Sequence, residues 1–290
     1  MHRRLAAAAL LTLALAACGS TPAAQPEAAQ PSPQDRQRQL QTVLADCMKQ
    51  KGFEYVPYVP PAATVTDEER RRDSGDYEAT KAHRAKYGFG VWSSIVYPNG
   101  PGTMPRDAGP SNPNDKIISS LSETQTGAYY AALDPCYAKA AKQALGKDVK
   151  SKMDLFKQGA QTVKRNVARE IDGDPGLVDL AAAMGDCLKG KGYAVASAKP
   201  SALARRGPDR FQDEMTEIGR EQQPGMAGSK NENAIIIPEM TADQARPHLD
   251  KEIKAALDDL ECGKDFYAAY QPKKTEIDRR MLEEFALERS

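Results

Sequence analysis

Histidine is scarce in this sequence: three in 290 residues, one of them His2. Neither His83 nor His248 has a second histidine or a cysteine at ligand spacing, so no metal-binding residue is assigned. Neither G-x-S-x-G nor G-x-x-x-x-G-K-[ST] occurs, which removes the serine-hydrolase elbow and the phosphate-binding loop. Asp73-Ser74-Gly75 matches the aspartic-protease signature only as a tripeptide, and it follows Glu69–Arg72 rather than an apolar strand, so it is read as a helix break. No catalytic residue is assigned and no cofactor is expected. Charge of one sign is also missing, with 40 Lys+Arg against 40 Asp+Glu, so no global basic field exists to hold a nucleic acid. Aromatics make up 6% of the chain and mean hydropathy is −0.61, which leaves part of the chain as tail or loop.

No apolar run reaches the ~18 residues that a membrane span needs. The most continuous, Leu5–Ala17, follows the positive His2-Arg3-Arg4 and reads as the core of a signal peptide over residues 1–17. It ends in Leu15-Ala16-Ala17-Cys18, which resembles the bacterial lipobox. That resemblance implies that Cys18 is lipidated and begins the mature chain, anchored at the outer face of the cytoplasmic membrane. More than one acyl chain would make the attachment stable. Cleavage would remove two arginines and no acid. Residues 18–33 are the lipidated cysteine and a Pro/Ala/Gln/Ser-rich disordered tether. About 15 extended residues at ~3.3 Å each reach at most ~50 Å from the bilayer.

Four cysteines remain: Cys47, Cys136, Cys187 and Cys262. In an oxidising compartment an even number implies two disulfides, with three possible connectivities. Internal repetition chooses among them. Asp46–Phe53 and Asp186–Tyr193 share five of eight residues in the pattern D-C-x-K-x-K-G-[FY]. Ile117–Gln125 and Ile236–Gln244 share I-I-x-x-[LM]-[ST]-x-x-Q, and each is followed by Ala-Ala-Leu-Asp and a cysteine. The chain therefore reads as a duplicated unit, residues 34–145 and 155–290, with one bridge in each: Cys47–Cys136 and Cys187–Cys262.

The repeated motifs read as helix grammar. Leu40, Val43, Leu44, Cys47 and Met48 form one apolar face, and Leu177, Leu180, Ala181, Met184, Cys187 and Leu188 form another, so both cysteines are expected to face a core. The lysines oppose the negative helix end, Gly52 and Gly192 suit a left-handed stop, and Phe53 and Tyr193 would fold back on Met48 and Leu188. Ser122-x-x-Gln125 and Thr241-x-x-Gln244 fit capping boxes, and Asp174-Pro175 fits a helix start. The Ile-Ile pairs are expected to be extended. Further apolar stripes run over Phe156–Ile171, Ile253–Leu260 and Ile277–Phe285. The fold class is mainly α: two disulfide-stapled, duplicated helical units with extended and loop insertions. In the first unit Glu54–Pro61 reads as extended, Thr66–Lys86 as charged helix, and Tyr87–Trp92 and Pro98–Asn114 as loop. In the second, Ala194–Ala234 reads as a shorter insert.

Aromatic residues concentrate in the first insert. Tyr55, Tyr58, Tyr87, Phe89 and Trp92 form the candidate partner-binding set, weighed against a satellite core beneath a long loop. The lipobox, the tether, D-C-M-K-x-K-G-F-x-Y (46–55) and Y-G-F-G-V (87–91) together resemble uncharacterised secreted lipoproteins of high-GC Gram-positive (actinobacterial) type. The resemblance implies location and disulfides and carries no activity. The expectation is a non-enzymatic, lipid-anchored binding, sensor or accessory protein at the cell envelope, its partner an envelope, transporter or signalling protein. The alternative is a cell-wall or polymer hydrolase built on a carboxylate pair.

Overall fold

Short polar caps and glycine stops cut the chain into helices, and a computed structural model describes them over residues 31–61, 64–100, 112–223, 225 and 235–287. The leader, Cys18 and the tether up to residue 30 lie outside the described residues, as do residues 101–111 of the expected Pro98–Asn114 loop. Among the described residues there are eleven helices and no strand.

Helix α1 (Pro33–Gln50) opens on Ser32, whose hydroxyl accepts from the Asp35 N–H at 3.1 Å while the Asp35 carboxylate caps Ser32 in return. It ends as its sequence predicts. Gly52 sits at φ +85° and the Phe53 N–H donates back to the Met48 carbonyl at 3.0 Å. Helix α8 (Pro175–Gly190) repeats this construction, with Asp174 as cap, Gly192 at φ +86° and the Tyr193 N–H on the Leu188 carbonyl at 2.9 Å. The partners of these two helices open alike. Helix α6 (Glu123–Leu145) begins with the Ser122/Gln125 box and α10 (Ala242–Cys262) with the Thr241/Gln244 box. The disulfides join α1 to α6 through Cys47–Cys136 and α8 to α10 through Cys187–Cys262, each with a Cα–Cα distance of 5.5 Å.

The two bridges differ in burial. Cys47 is 7% exposed and Cys136 fully buried. Cys187 is exposed and Cys262 only half-buried, so the expectation that both repeated cysteines face a core holds for the first alone. The apolar stripe of α8 runs through Leu177, Ala181, Met184 and Leu188, and Cys187 falls on its flank. The first Ile-Ile pair is likewise not extended. Asn112 and Pro113 start a short helix, α5 (Pro113–Ser119), that absorbs Ile117 and Ile118. The charged stretch after residue 66 forms two helices, α2 (Asp67–Asp73) and α3 (Tyr77–Tyr87). They part at Gly75, which sits at φ +82° and lies so close to helix α11 (Lys264–Glu284) that a Cβ would meet the Ala268 backbone at 2.9 Å.

The remaining elements are α4 (Ser93–Val96), α7 (Lys152–Glu170) and the long α9 (Pro200–Gln222), which occupies most of the second insert. Packing crosses between the expected repeats. Helices α3 and α4 lie along α10, α2 lies on α11, and Phe285, just past α11, enters the core between α1 and α6. Ser32–Ser290 accordingly forms a single compact unit. Its apolar material falls into three clusters: Leu44, Met48, Cys136 and Ala140 between α1 and α6; Met184, Leu188, Leu260 and Phe266 around α8; and Trp92, Phe211, Met215 and Leu249 where α4, α9 and α10 meet.

Candidate functional site

The extended segment Phe53–Pro61 leaves α1 at the glycine stop and runs back beside it. Two amide side chains hold it there. Gln41 Oε1 accepts from the Tyr55 hydroxyl at 2.9 Å and from the Tyr58 N–H at 3.4 Å. Asn114, 3% exposed, pairs with both backbone groups of Val56 at 2.8 Å. Between this segment, α1, α5, α6 and the residues after α11 lies a cavity of about 460 Å³. Its buried lining includes Leu40, Leu44, Tyr129, Tyr137 and Phe285. Its solvent-exposed lining residues are Pro60, Pro61, Asp115, Asp134, Lys152 and Phe156. The far wall depends on Ala286, which takes φ +46° and turns the chain so that Phe285 and Leu287 also line the space. A non-glycine residue rarely adopts that backbone, at a cost of roughly 1–2 kcal/mol, and here the surrounding packing enforces it.

Four phenols, four amides, two carboxylates and a lysine supply the polar side chains of the cavity lining. Burial pushes Tyr55 and Tyr137 up to about 12. Tyr129 is raised as well, first by burial and then by the neighbouring Tyr130. These tyrosines stay protonated at neutral pH and act as neutral hydrogen-bonding groups. Two of the lining residues each keep a buried polar atom without a hydrogen-bond partner, the Tyr129 hydroxyl and Gln37 Oε1, both packed away from solvent. Tyr129 is 1% exposed, so its orphaned hydroxyl is a costly feature to keep in a core. Among the described residues no serine, cysteine or histidine lines the cavity. The lining combines aromatic and aliphatic walls with amides and with the exposed Asp115, Asp134 and Lys152.

The five aromatics singled out in the sequence divide between two places. Tyr55 and Tyr58 line the cavity. Tyr87, Phe89 and Trp92 are elsewhere: Tyr87 ends α3, Phe89 lies in the loop after it, and Trp92 caps α4. Trp92 is fully buried, stacked on His248 with ring centroids 4.2 Å apart, and it is not a surface anchor. Phe89 packs on Phe211 at 6.0 Å and Tyr87 on Tyr97 at 5.6 Å. For Trp92 the satellite-core reading replaces the partner-binding one, while Phe89 and Tyr87 are half-buried.

The Y-G-F-G-V pattern serves that docking. The loop curls over Glu252, whose carboxylate accepts from the backbone N–H groups of Phe89 at 2.7 Å, Val91 at 2.9 Å and Trp92 at 2.8 Å. Gly88, at φ +61°, leaves room for that carboxylate, which a Cβ would meet at 2.8 Å. Burial pushes Glu252 above the usual carboxylate range, and the three N–H donors pull it back down. Asp259, 1% exposed, is engaged in the same way by Arg84 at 2.8 Å, the Tyr267 hydroxyl at 2.6 Å and Arg206 at 3.3 Å. Both carboxylates are thus saturated by protein donors and neither faces the cavity. Among the described residues no group of three His, Cys, Asp or Glu side chains is placed to hold a metal ion.

The chain matches no protein-family profile, and no curated protein or solved structure is detectably similar to it. The site therefore rests on its own geometry. Sequence reading passed over Gln37, Tyr129 and Tyr137. A signal for the tyrosines exists: Tyr129, Ala132, Cys136, Tyr137 and Ala140 share one helical face, so two phenols stand on the face that carries the disulfide. Glu252 and Asp259 carry the same kind of signal, since they fall in register with Ala245, Leu249 and Ala256 on the buried face of α10.

Proposed function

We propose that this protein is a lipid-anchored, extracytoplasmic binding protein of non-enzymatic type, in a sensor or accessory role at the cell envelope. In this reading Cys18 anchors it to the outer face of the cytoplasmic membrane and the tyrosine-lined cavity takes a small ligand. The observation that carries the binding role is the cavity of about 460 Å³, walled by aromatic and aliphatic side chains. The lipobox at Leu15–Cys18 and the Pro/Ala-rich tether support the address. The matched construction of α1/α6 and α8/α10, down to their caps, stops and bridges, supports reading the chain as two copies of one stapled unit. The copies differ between their paired helices. The first carries the extended segment and α2–α5, the second the long α9. A cavity walled by the extended segment of one copy fits a scaffold whose novelty lies in its connection.

Membrane fractionation tests the address. The wild-type chain should sediment with membranes, and Cys18→Ala should appear in the medium. Retention of Cys18→Ala on membranes would refute the anchor. The cavity is tested separately by Leu133→Trp, which places an indole into it from α6. Loss of small-molecule binding with the helical content intact is the expected result.

A further inference from the structure

We infer that the outer face of α7 is a membrane-contact surface that lays the folded unit against an anionic phospholipid bilayer. Lipidation of Cys18 would bring the chain to a membrane without deciding which side of it faces the lipid. The α7 surface supplies that orientation, and it acts with or without the anchor.

The first observation is charge. The whole chain is balanced, with 40 basic and 40 acidic residues. Residues 139–169 are not: they carry nine Lys and Arg against Asp148 and Asp154 alone. Both acids are engaged. Asp148, before the helix, lies 3.8 Å from the Lys142 ammonium, and the Asp154 carboxylate accepts from the Lys150 N–H at 2.9 Å. Among the described residues, Lys139, Lys150, Lys152, Lys157 and Lys164 are exposed and form no ion pair. An ordinary solvated face intersperses the two signs. Helix α11 does so in this same molecule, where Glu276 and Glu283 flank Arg279 and Lys274 pairs with Asp278.

The second observation is what lies among the lysines. Met153, Lys157, Ala160 and Lys164 recur at i, i+4, i+7 and i+11, one line about 17 Å long on the helix surface. Met153 is 62% exposed, the most of any large apolar side chain among the described residues. Phe156, one turn on, is 43% exposed, with the Lys152 ammonium 5.8 Å from the centre of its ring. The helix cannot roll to hide them. Its opposite side is fixed by the buried Leu155 and by Gly159, where a Cβ would lie 3.4 Å from the Met281 sulfur. Apolar side chains held outward among unpaired lysines suit the boundary of an anionic bilayer. The apolar groups enter the headgroup layer, and the lysine stems follow while their ammonium groups stay at the phosphates. A soluble polyanion would use the lysines and leave Met153 and Phe156 in water. Lys152 and Phe156 also line the cavity, so its rim adjoins this face.

The test sediments the full chain carrying Cys18→Ala with two kinds of vesicle, phosphatidylcholine alone and an equal mixture of phosphatidylcholine and phosphatidylglycerol. Any binding through the leader appears with the neutral vesicles and is subtracted. The anionic vesicles should bind at least about tenfold more tightly than the neutral ones. At about 1 M salt, where charges are screened beyond ~3 Å, that preference should shrink to under about twofold. Lys152→Gln, Lys157→Gln and Lys164→Gln together should weaken binding about a hundredfold, roughly fivefold for each lysine. Met153→Ser alone should weaken it roughly fivefold through lost apolar burial. These substitutions touch only exposed side chains, and circular dichroism should show the helical content unchanged. Equal binding to both vesicles, or binding unmoved by the triple substitution, would overturn the surface. Binding unmoved by Met153→Ser, or soluble polyglutamate bound as tightly as the anionic vesicles, would assign the lysines to a soluble polyanion and overturn the membrane reading. None of these outcomes bears on lipidation of Cys18, which the fractionation experiment tests by itself.

Discussion

Truncation of Trp92 to alanine should destabilise the protein by about 4 kcal/mol, in the usual range for a buried large aromatic. The magnitude follows from the surroundings of the indole. Trp92 is fully buried among Val96, Phe211, Met215 and Leu249. An indole hides about 200 Å², worth roughly 5 kcal/mol at ~25 cal/mol per Å², of which alanine keeps a small part. The stack on His248 at 4.2 Å adds about 0.5–1.5 kcal/mol. One contribution has the opposite sign: the indole Nε1 is buried without a partner, and deleting it recovers about 1–3 kcal/mol. For a unit of this size each kcal/mol shifts Tm by roughly 2–4 °C, so Trp92→Ala should melt about 8–16 °C lower by circular dichroism. Trp92→Phe should lose less than about 1.5 kcal/mol, because it keeps a ring in the stack and removes the orphaned N–H. A drop below ~3 °C for Trp92→Ala would mean that the loop does not depend on its indole, and the core assignment would fail.

Glu252→Gln should cost about 2 kcal/mol in urea denaturation, since the new amide must turn an NH₂ toward one of the three N–H groups now held by the carboxylate; unchanged stability would show that the loop is not held by that anion. Limited reduction followed by alkylation and mass spectrometry should open Cys187–Cys262 before Cys47–Cys136, because Cys187 is exposed and both sulfurs of the first bridge are buried. The opened chain should lose about 4 kcal/mol by the loop-entropy argument, and simultaneous or reversed opening would contradict the difference in burial.

Features whose cause lies within a few residues were legible in the sequence. The Lys51-Gly52-Phe53 ending, its twin at Lys191-Gly192-Tyr193 and the two capping boxes need only their own turn of helix, and they form as expected. Both disulfides were legible through a longer-range device, the order of the repeated motifs. What escaped was set by distant neighbours. Ala194–Ala234 reads as an insert, yet α9 fills most of it, and Gly207 within that helix makes room for the Phe89 ring, which a Cβ would meet at 2.2 Å. Glu252 and Asp259 fall in register with the buried face of α10, but donors that satisfy them lie far off in the chain, Phe89 163 residues from Glu252 and Arg84 175 from Asp259. Tyr129 and Tyr137 stand on a recognisable helix face, but whether a phenol there meets a partner or an open space depends on where residues 53–61 and 285–287 come to rest.

The way the repeats interlock bears on how the cavity could signal. Residues 67–97 leave the α1/α6 pair and fasten to the second repeat through Arg84–Asp259, the loop on Glu252 and Trp92 on His248. In the opposite direction, Arg36 of α1 donates to the Glu283 carbonyl, and Lys147, after α6, pairs with Glu284 at 2.5 Å, with its ammonium 4.2 Å from the centre of the Phe285 ring. Each half of the chain therefore contributes to the core of the other. The cavity straddles one of these exchanges: its buried wall on α1 and α6 belongs to the first repeat, and Phe285 and Ala286 belong to the second. A ligand seated there stabilises only the state in which the end of α11 is docked, by an amount set by its affinity and concentration. Occupancy of a site in the first repeat would thus be felt as tighter attachment of the last helix of the second. An accessory or sensor protein needs such a link between a ligand and a surface elsewhere on the molecule.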